Sequence, residues 1–187
     1  VAAIQMIADA GMHGICRLAG ISFGMKVDKE TGAITLDDTQ LKAGSKILKD
    51  AGLSHHYAQD LVRAPFHWVC RYKYGIRPGN ARWFGYVFQP ELADTELDSA
   101  SYKPNRRDPS EEEVARLREQ WPEVKNDIIA LLKRMRVMYT DAGLDPWVFP
   151  YDEPDGTEWA HPWIKFSAEV AHAAGFKVWS SHNDPLG

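Results

Sequence analysis

The distribution of apolar and polar residues repeats one pattern four times along the chain. In each copy a segment with helical apolar spacing ends in Ala-Gly and an apolar residue follows, and the glycines are Gly11, Gly52, Gly143 and Gly175. A glycine directly after a helix adopts the left-handed conformation without the penalty that a Cβ would impose, and the next apolar residue packs back on the last turn. The pattern therefore predicts four helices that end at glycine and lead into strands.

The helices themselves are predicted from apolar residues at spacings of three and four. Such faces are formed by Leu41, Ile47, Leu48 and Ala51, by Val124, Ile128, Leu131, Leu132, Met135, Met138 and Tyr139, and by Trp163, Phe166, Val170 and Ala174. Ser110 and Glu113 have the spacing of a capping box, which opens a helix. Pro122 either kinks that helix or starts a second one, and Pro162 fits the first turn of the last helix.

Short apolar segments after the glycines predict buried strands at residues 14–18, 147–151 and 177–180. For the remaining strand we favour residues 66–70, and a start at Leu53 is the alternative. Helices that alternate with strands predict parallel strands joined by right-handed crossovers, and hence an open doubly wound sheet or a barrel.

Long loops after the strands favour the barrel. The chain has no GxGxxG or GxxxxGK[ST] motif for phosphate binding, whereas residues 20–37 include a hairpin-like VDKETGAIT and residues 71–109 form a polar insertion rich in aromatics. Barrel enzymes build their active sites from such loops. The predicted fold class is α/β, a (β/α)8 TIM barrel, of which the single domain of residues 1–187 supplies about half of the strands. We expect the other strands to come from the same parent chain or from another subunit.

The composition is that of a folded protein with a core, at 44% hydrophobic and 26% charged residues. The formal net charge is −4 and the basic residues are spread along the chain, so nucleic acid is not an expected partner. No apolar run has the roughly 20 residues of a membrane span, and the first residues lack a signal-peptide pattern. Cys16 and Cys70 lie in apolar stretches and are predicted to be buried structural thiols.

The sequence WVFPYDEPDG places two adjacent carboxylates, Asp152 and Glu153, after the strand at residues 147–151. Neighbouring side chains at a strand end point in different directions, so the two carboxylates can contact different atoms of one ligand. Glycoside hydrolysis needs an acid that protonates the leaving oxygen and a second group that stabilises the oxocarbenium ion. Glu153 would be the general acid and base, because burial and the charge of Asp152 would raise its pKa. Asp152 would stay ionised and would orient the 2-acetamido group of the substrate, which acts as the nucleophile. The alternative is a solvated turn with negative charge at a helix N-terminus.

The strand that ends in YDEP, the glycine-terminated helix before it and the helix after it resemble glycoside hydrolase family 123 and related barrel glycosidases. The resemblance covers the last third of the chain. It implies a retaining β-N-acetylhexosaminidase of the N-acetylgalactosaminide type, in which Asp152 and Glu153 act by substrate assistance. It also implies that the strands present are the second to the fifth and that the parent protein is secreted or periplasmic. We expect a carbohydrate substrate and neither a cofactor nor a bound metal.

Seven residues are candidates for substrate binding because they lie at predicted strand ends or next to the acidic pair: Tyr151, Trp159, His182, Asn183, Asp184, His67 and Trp68. Trp159 is the best candidate to stack on a sugar ring, because it is nearest in sequence to the predicted chemistry. Residues 182–184 could instead form an Asn-Asp-Pro turn, and His67 and Trp68 could belong to the core.

Two further groups have structural and functional interpretations. An alternating set in the insertion is typical of a lid over sugar rings or of a short strand packed on the barrel: Trp83, Phe84, Tyr86 and Phe88. The remaining histidines have no partner spacing and are predicted to be surface or helix residues: His13, His55, His56, His161 and His172.

Two other functions are open alternatives. A metal-dependent barrel of the sugar isomerase type would bind a divalent ion through Glu153, His182 and Asp184, although no HxH or HExxH spacing supports it. A non-catalytic carbohydrate-binding barrel would keep the aromatic residues without turnover.

Overall fold

The computed structural model describes residues 2–12, 14–16, 23–53, 55–88, 102–149 and 158–179. Their helices are α1 Ala2–Asp9, α2 Thr39–Asp50, α3 Arg63–Trp68, α4 Ala81–Tyr86, α5 Glu111–Glu119, α6 Trp121–Asp141 and α7 His161–Ala173. Their strands are β1 Gly14–Cys16, β2 Gly24–Val27, β3 Ile34–Asp37, β4 His55–Gln59, β5 Asp145–Phe149 and β6 Lys177–Val178. A π-helical turn, Val69–Lys73, continues α3, and a 3₁₀ turn, Glu158–Ala160, precedes α7.

β1, β4, β5 and β6 form one parallel sheet in which neighbouring strands follow the order of the chain. In the register, His55 of β4 is the partner of Gly14 on one side and of Asp145 on the other. β2 and β3 form a separate antiparallel hairpin, which confirms the hairpin predicted from VDKETGAIT. The architecture is mixed α/β, and no barrel closes within the residues that the structure describes. The parallel strands end at one edge of the sheet, called here the carboxyl edge, with the last residues Cys16, Gln59, Phe149 and Val178.

The four predicted helix ends are confirmed. The φ angles lie between 72° and 85° at all four glycines, Gly11, Gly52, Gly143 and Gly175. At each end the amide after the glycine donates to the carbonyl five residues back, as from Leu53 to Leu48 at 2.9 Å. The apolar residue after the glycine is buried at three of the ends, whereas Met12 is exposed.

The other helix signals are also confirmed. Ser110 Oγ accepts a hydrogen bond from the amide of Glu113, whose carboxylate accepts one from the amide of Ser110. α5 ends before Pro122, and α6 contains this proline in its first turn, so Pro122 starts a second helix and does not kink the first. Pro162 lies in the first turn of α7 as predicted.

The predicted apolar face of α6 is buried, with Met138 partly buried at its margin. For α2 the prediction is wrong at Ile47, whose side chain is exposed. The buried face of α2 runs through Leu41, Ser45 and Leu48, and Ser45 Oγ donates to the carbonyl of Ala142 at 2.6 Å. Ile47 is rotated by about 100° from Leu48 around the helix axis and therefore leaves this face.

The strand after the second glycine is β4, and the prediction of a strand at residues 66–70 is wrong. Those residues belong to α3 and to the π-helical turn. Phe66, Val69 and Cys70 are buried, and their spacing of three and four is that of a helical face. The polar segment His55–Gln59 forms the strand because it is hydrogen-bonded on both sides, to β1 and to β5.

The helices after β4 enclose an aromatic core. Phe66 makes edge contacts with the rings of Phe84, Trp121, Trp163 and Phe166, at centroid distances from 5.4 to 6.5 Å. The prediction of a strand at residues 83–88 is wrong, because α4 extends to Tyr86. The prediction of an aromatic lid is wrong for Trp83, Phe84 and Phe88, which are buried, whereas Tyr86 is partly buried at the margin of the core. The insertion thus contributes to the core, in the part of it that the structure describes.

Polar side chains join three strands at the opposite, amino edge of the sheet. Lys177 Nζ of β6 donates to Asp145 Oδ2 of β5 at 2.7 Å, and His55 Nε2 of β4 lies 3.6 Å from the same oxygen. The hydrogen bond from Lys177 holds the pKa of the Asp145 carboxyl below its ordinary value. This cluster connects β4, β5 and β6 at the amino edge and is therefore on the side of the sheet away from the carboxyl edge.

The prediction of a surface or helix residue is wrong for His56. It is a strand residue, like His55, and its side chain is only 4% exposed. Tyr139 Oη lies 3.3 Å from His56 Nδ1, and the two rings stack with centroids 5.8 Å apart. Burial lowers the pKa of His56 from 6.5 to about 4, so the imidazole is neutral in the folded protein at pH 7.

The prediction of a buried thiol is confirmed for Cys70, whose pKa burial raises. The side chain of Cys16 lies outside the described residues. Within the described ranges, no helix combines the length and apolar character needed to cross a membrane.

Replacing Phe66 by Ala should lower the free energy of unfolding by about 3 to 5 kcal/mol, because the cavity would lie among four packed aromatic rings. Val137→Ala, on the exposed face of α6, is the matched control and should change the free energy by less than about 0.5 kcal/mol. Urea denaturation measures both values. Equal effects of the two substitutions would contradict the assignment of Phe66 to the core.

The neutral state of His56 predicts loss of stability on acidification. Between pH 6.5 and about 4 the unfolded chain binds a proton at this position and the folded protein does not, so the free energy of unfolding falls as the pH falls. His56→Asn should make the fall in the free energy of unfolding between pH 7 and pH 4.5 smaller by about 2 kcal/mol. The control is His172→Gln, at an exposed position of α7. A pH dependence that is the same in wild type and His56→Asn would show that another group causes it.

Candidate functional site

Most of the predicted site lies outside the described residues: Tyr151, Asp152, Glu153, His182, Asn183 and Asp184. The strands that precede them are present with different bounds: β5 begins at Asp145, before the predicted residues 147–151, and β6 covers Lys177–Val178 of the predicted residues 177–180. Phe149 is the last residue of β5, and Asp152 follows it by three residues in the sequence. The predicted acidic pair is thus close in sequence to the carboxyl edge.

Asp60 is a candidate residue that sequence reasoning missed. It directly follows β4, and its neighbour Gln59 is the register partner of Phe149 at the end of β5. The φ angle of Asp60 is 55°, a left-handed conformation that costs energy in a residue other than glycine. Residues held in such conformations cluster at functional sites. The signal in the sequence is an acidic residue at the end of the strand after Gly52, which the favoured prediction put at residues 66–70 and the alternative started at Leu53.

The carboxylate of Asp60 is in an unfavourable environment. Its Oδ2 forms an ion pair with Arg63 Nη1 at 3.2 Å, whereas its Oδ1 is buried and accepts no hydrogen bond of ordinary geometry from the described residues. Burial raises the pKa of Asp60, and the charge of Arg63 opposes the rise only in part. The indole of Trp163 also lies close enough to lower this pKa slightly. Asp60 is thus a carboxyl group at the carboxyl edge whose ionised form is destabilised by burial.

A cavity of about 780 Å³ opens beside α3. We call it the arginine cavity because five arginines and one aspartate line it: Arg63, Arg71, Arg77, Arg106, Arg107 and Asp108. His67 and Trp68, predicted from sequence as sugar contacts, also line it, although they lie on a helix and not at a strand end. The structure therefore brings two predicted binding residues together with arginines that the sequence analysis treated as dispersed.

The ion pair of Arg63 with Asp60 links the arginine cavity to the carboxyl edge. Arg63 contacts Asp60 at the end of β4 and is also part of the cavity lining. Burial lowers the pKa of His67, and the charge of Arg63 lowers it further. His67 is therefore a neutral hydrogen-bonding group in this lining at pH 7.

Trp159 is placed elsewhere. It lies half-buried in the 3₁₀ turn before α7 and does not belong to the lining of the arginine cavity. Its backbone packs so closely on α4 that Gly85 has no space for a Cβ. The position next to the aromatic core gives Trp159 a structural role, while its role toward a sugar stays a prediction.

No set of metal ligands is present in the described parts of the chain, where no group of three or more His, Cys, Asp or Glu residues could hold an ion. The three residues predicted for a metal-dependent barrel, Glu153, His182 and Asp184, lie outside these parts.

No family model matches the chain, and neither the curated proteins nor the solved structures include a significant match. The functional argument therefore depends on the chemistry of the site.

Asp60→Asn should raise the melting temperature at pH 7. A carboxyl whose pKa is raised on folding contributes least stability above that pKa, and asparagine has no charge to bury and tolerates a positive φ. The gain should shrink toward pH 4, where the carboxyl of Asp60 is increasingly protonated. Thermal unfolding at both pH values measures it, with Asp50→Asn on the exposed end of α2 as control. A lower melting temperature at pH 7 would mean that the ion pair with Arg63 outweighs the burial.

Proposed function

We propose that the protein is a glycoside hydrolase whose catalytic residues lie at the carboxyl edge of a (β/α)8 barrel. One observation carries the proposal: acidic residues follow two adjacent parallel strands, Asp60 after β4 and the pair Asp152 and Glu153 after β5. In barrel enzymes the catalytic groups come from the ends of several strands and meet on this side. Paired carboxylic acids are the groups that hydrolyse glycosidic bonds.

The order of the strands supports a barrel over a doubly wound sheet. Neighbouring strands of the parallel sheet follow the order of the chain, from β1 through β4 and β5 to β6. A barrel adds each new strand beside the last one, whereas a doubly wound sheet reverses its order at a switch point. We assign the four strands to the second to the fifth of the barrel, on the resemblance of the last third of the chain.

In the proposed reaction, Glu153 protonates the glycosidic oxygen and later deprotonates the attacking water. The 2-acetamido oxygen of the substrate attacks the anomeric carbon, the bond to the leaving sugar breaks, and Asp152 stabilises the positive charge on the acetamido nitrogen. Water then opens the resulting cyclic intermediate with overall retention. The choice of an N-acetylgalactosaminide, and a secreted or periplasmic location, follow from the family 123 resemblance.

The full-length natural protein tests the proposal with β-linked N-acetylgalactosaminides and N-acetylglucosaminides, each with a sugar and with an aryl leaving group. Glu153→Gln should reduce turnover of the sugar-leaving substrate by about 10²- to 10⁴-fold. The loss should be smaller with the aryl group, which needs less protonation. Asp152→Asn should impair both substrates, and Asp155→Asn, in the same acidic sequence, is the matched control.

Retention of turnover to within about a hundredfold in both Glu153→Gln and Asp152→Asn would show that the site assignment is wrong. Loss of activity on treatment with a chelator would support a metal-dependent barrel instead. Binding of these glycans without any hydrolysis would support a non-catalytic barrel.

A further inference from the structure

The arginine cavity concentrates positive charge on a chain whose net charge is −4. Its arginines come from separate places: Arg63 from α3, Arg71 from the π-helical turn, Arg77 from the segment after it, and Arg106 and Arg107 from the loop before α5. Among the residues that the structure describes, Asp108 supplies the only carboxylate in the lining. A concave surface with this excess of one sign attracts ligands of the opposite charge.

The carboxylate of Asp108 forms hydrogen bonds within its own loop. Its Oδ2 accepts hydrogen bonds from Tyr102 Oη and from the amide of Asn105, both at 2.7 Å. The amide of Arg107 in turn donates to Asn105 Oδ1 at 2.8 Å. The carboxylate thus fixes the loop that presents Arg106 and Arg107.

Among the described residues, no ion pair joins a carboxylate to the guanidinium groups of Arg77, Arg106 and Arg107, whereas Arg63 is paired with Asp60. Arg71 lies over the ring of Tyr72, with 5.3 Å from Cζ to the ring centroid. A planar guanidinium group binds carboxylate or sulfate oxygens through two parallel N–H donors. The lining therefore contains several unused donors of the type that recognises oxyanions.

Other groups in the lining suit a sugar rather than a free ion. Trp68 and Tyr72 supply partly exposed aromatic faces. Asn80 and Asn105 supply amide NH2 groups, because their Oδ1 atoms already accept hydrogen bonds from the amides of Trp83 and Arg107. Aromatic faces pack on the apolar face of a sugar ring, and amides bind its hydroxyl groups. The volume of about 780 Å³ is in the range of ligand pockets and exceeds what one small anion needs.

We propose that the arginine cavity binds an anionic substituent, a carboxylate or a sulfate ester, on a sugar unit next to the one that is cleaved, so that the substrate is an acidic glycan. The inference rests on the proposed glycosidase function and deepens it. The position of the subsite follows from Arg63, which lines the cavity and contacts Asp60 at the carboxyl edge.

Binding to the full-length protein with Glu153→Gln, measured by calorimetry, separates recognition from turnover. The probes are a uronate-containing, a sulfated and a neutral oligosaccharide of equal length, together with inorganic sulfate and a short single-stranded DNA. We expect at least one acidic oligosaccharide to bind about tenfold or more tightly than the neutral one at low salt, with a preference that weakens as salt rises. The first two probes distinguish a carboxylate from a sulfate ester.

Arg106→Gln with Arg107→Gln should abolish that preference and leave the affinity for the neutral oligosaccharide within about twofold. Arg106→Lys with Arg107→Lys should give an intermediate preference for the acidic oligosaccharide, because lysine keeps the positive charge but lacks the paired donors of arginine. The control, Lys29→Gln with Lys133→Gln, removes two charges outside the cavity lining and should have no effect on the preference.

Equal affinity for acidic and neutral oligosaccharides would overturn the inference, as would a preference that survives in the Arg106 and Arg107 double variant. Binding of the DNA or of inorganic sulfate as tight as that of the acidic glycans would also overturn it. These failures are separate from failure of the proposed function: neutral glycans would still be hydrolysed in a Glu153-dependent manner if only the acidic subsite were wrong. Acidic binding with turnover that is independent of Glu153 would instead reject the catalytic assignment.

Discussion

The pairing of β4 with two parallel neighbours is the interaction on which the rest of the structure depends. β4 is hydrogen-bonded to β1 on one side and to β5 on the other, although its own sequence, HHYAQ, is polar. The backbone bonds and the burial of His56 and Ala58 hold it in the sheet. This position puts Asp60 at the carboxyl edge and starts α3 directly afterwards, so that Phe66 enters the aromatic core and Arg63 enters the cavity.

The parts of the fold that depend on local chemistry could be predicted from the sequence. A glycine after a helix, Ser110 with Glu113, and Pro122 each act within one turn of the chain, and the structure confirms all of them. β4 corresponds to the alternative strand that starts at Leu53 and was not the favoured prediction, because its pattern neither alternates nor is apolar and its stability comes from strands that are distant in sequence. The helical spacing of Phe66, Val69 and Cys70 was a usable signal against a strand at residues 66–70.

The candidate site shows the same division. The acidic pair was predicted from its place after an apolar strand, and β5 is present as expected. The arginine cavity could not be predicted from composition, because Arg63, Arg77 and Arg107 are far apart in sequence and only the fold brings them to one lining. Asp60 combines a partly buried carboxylate with a left-handed backbone, and local rules would place neither there. Departures of this kind from local preference are expected at functional positions, where stability is lost for the sake of chemistry.

The two proposals constrain each other through the pKa of the general acid. A general acid must hold its proton until the leaving group departs, but positive charge nearby lowers the pKa of a carboxyl group. Under the two proposals the guanidinium groups and the general acid act on neighbouring sugar units, so an empty arginine cavity would favour the ionised form of the acid. An anionic substituent of the substrate would neutralise the guanidinium groups as it binds and would remove this effect. Selectivity for an acidic glycan would then act on the chemical step as well as on affinity, because a neutral glycan would leave the acid more often ionised.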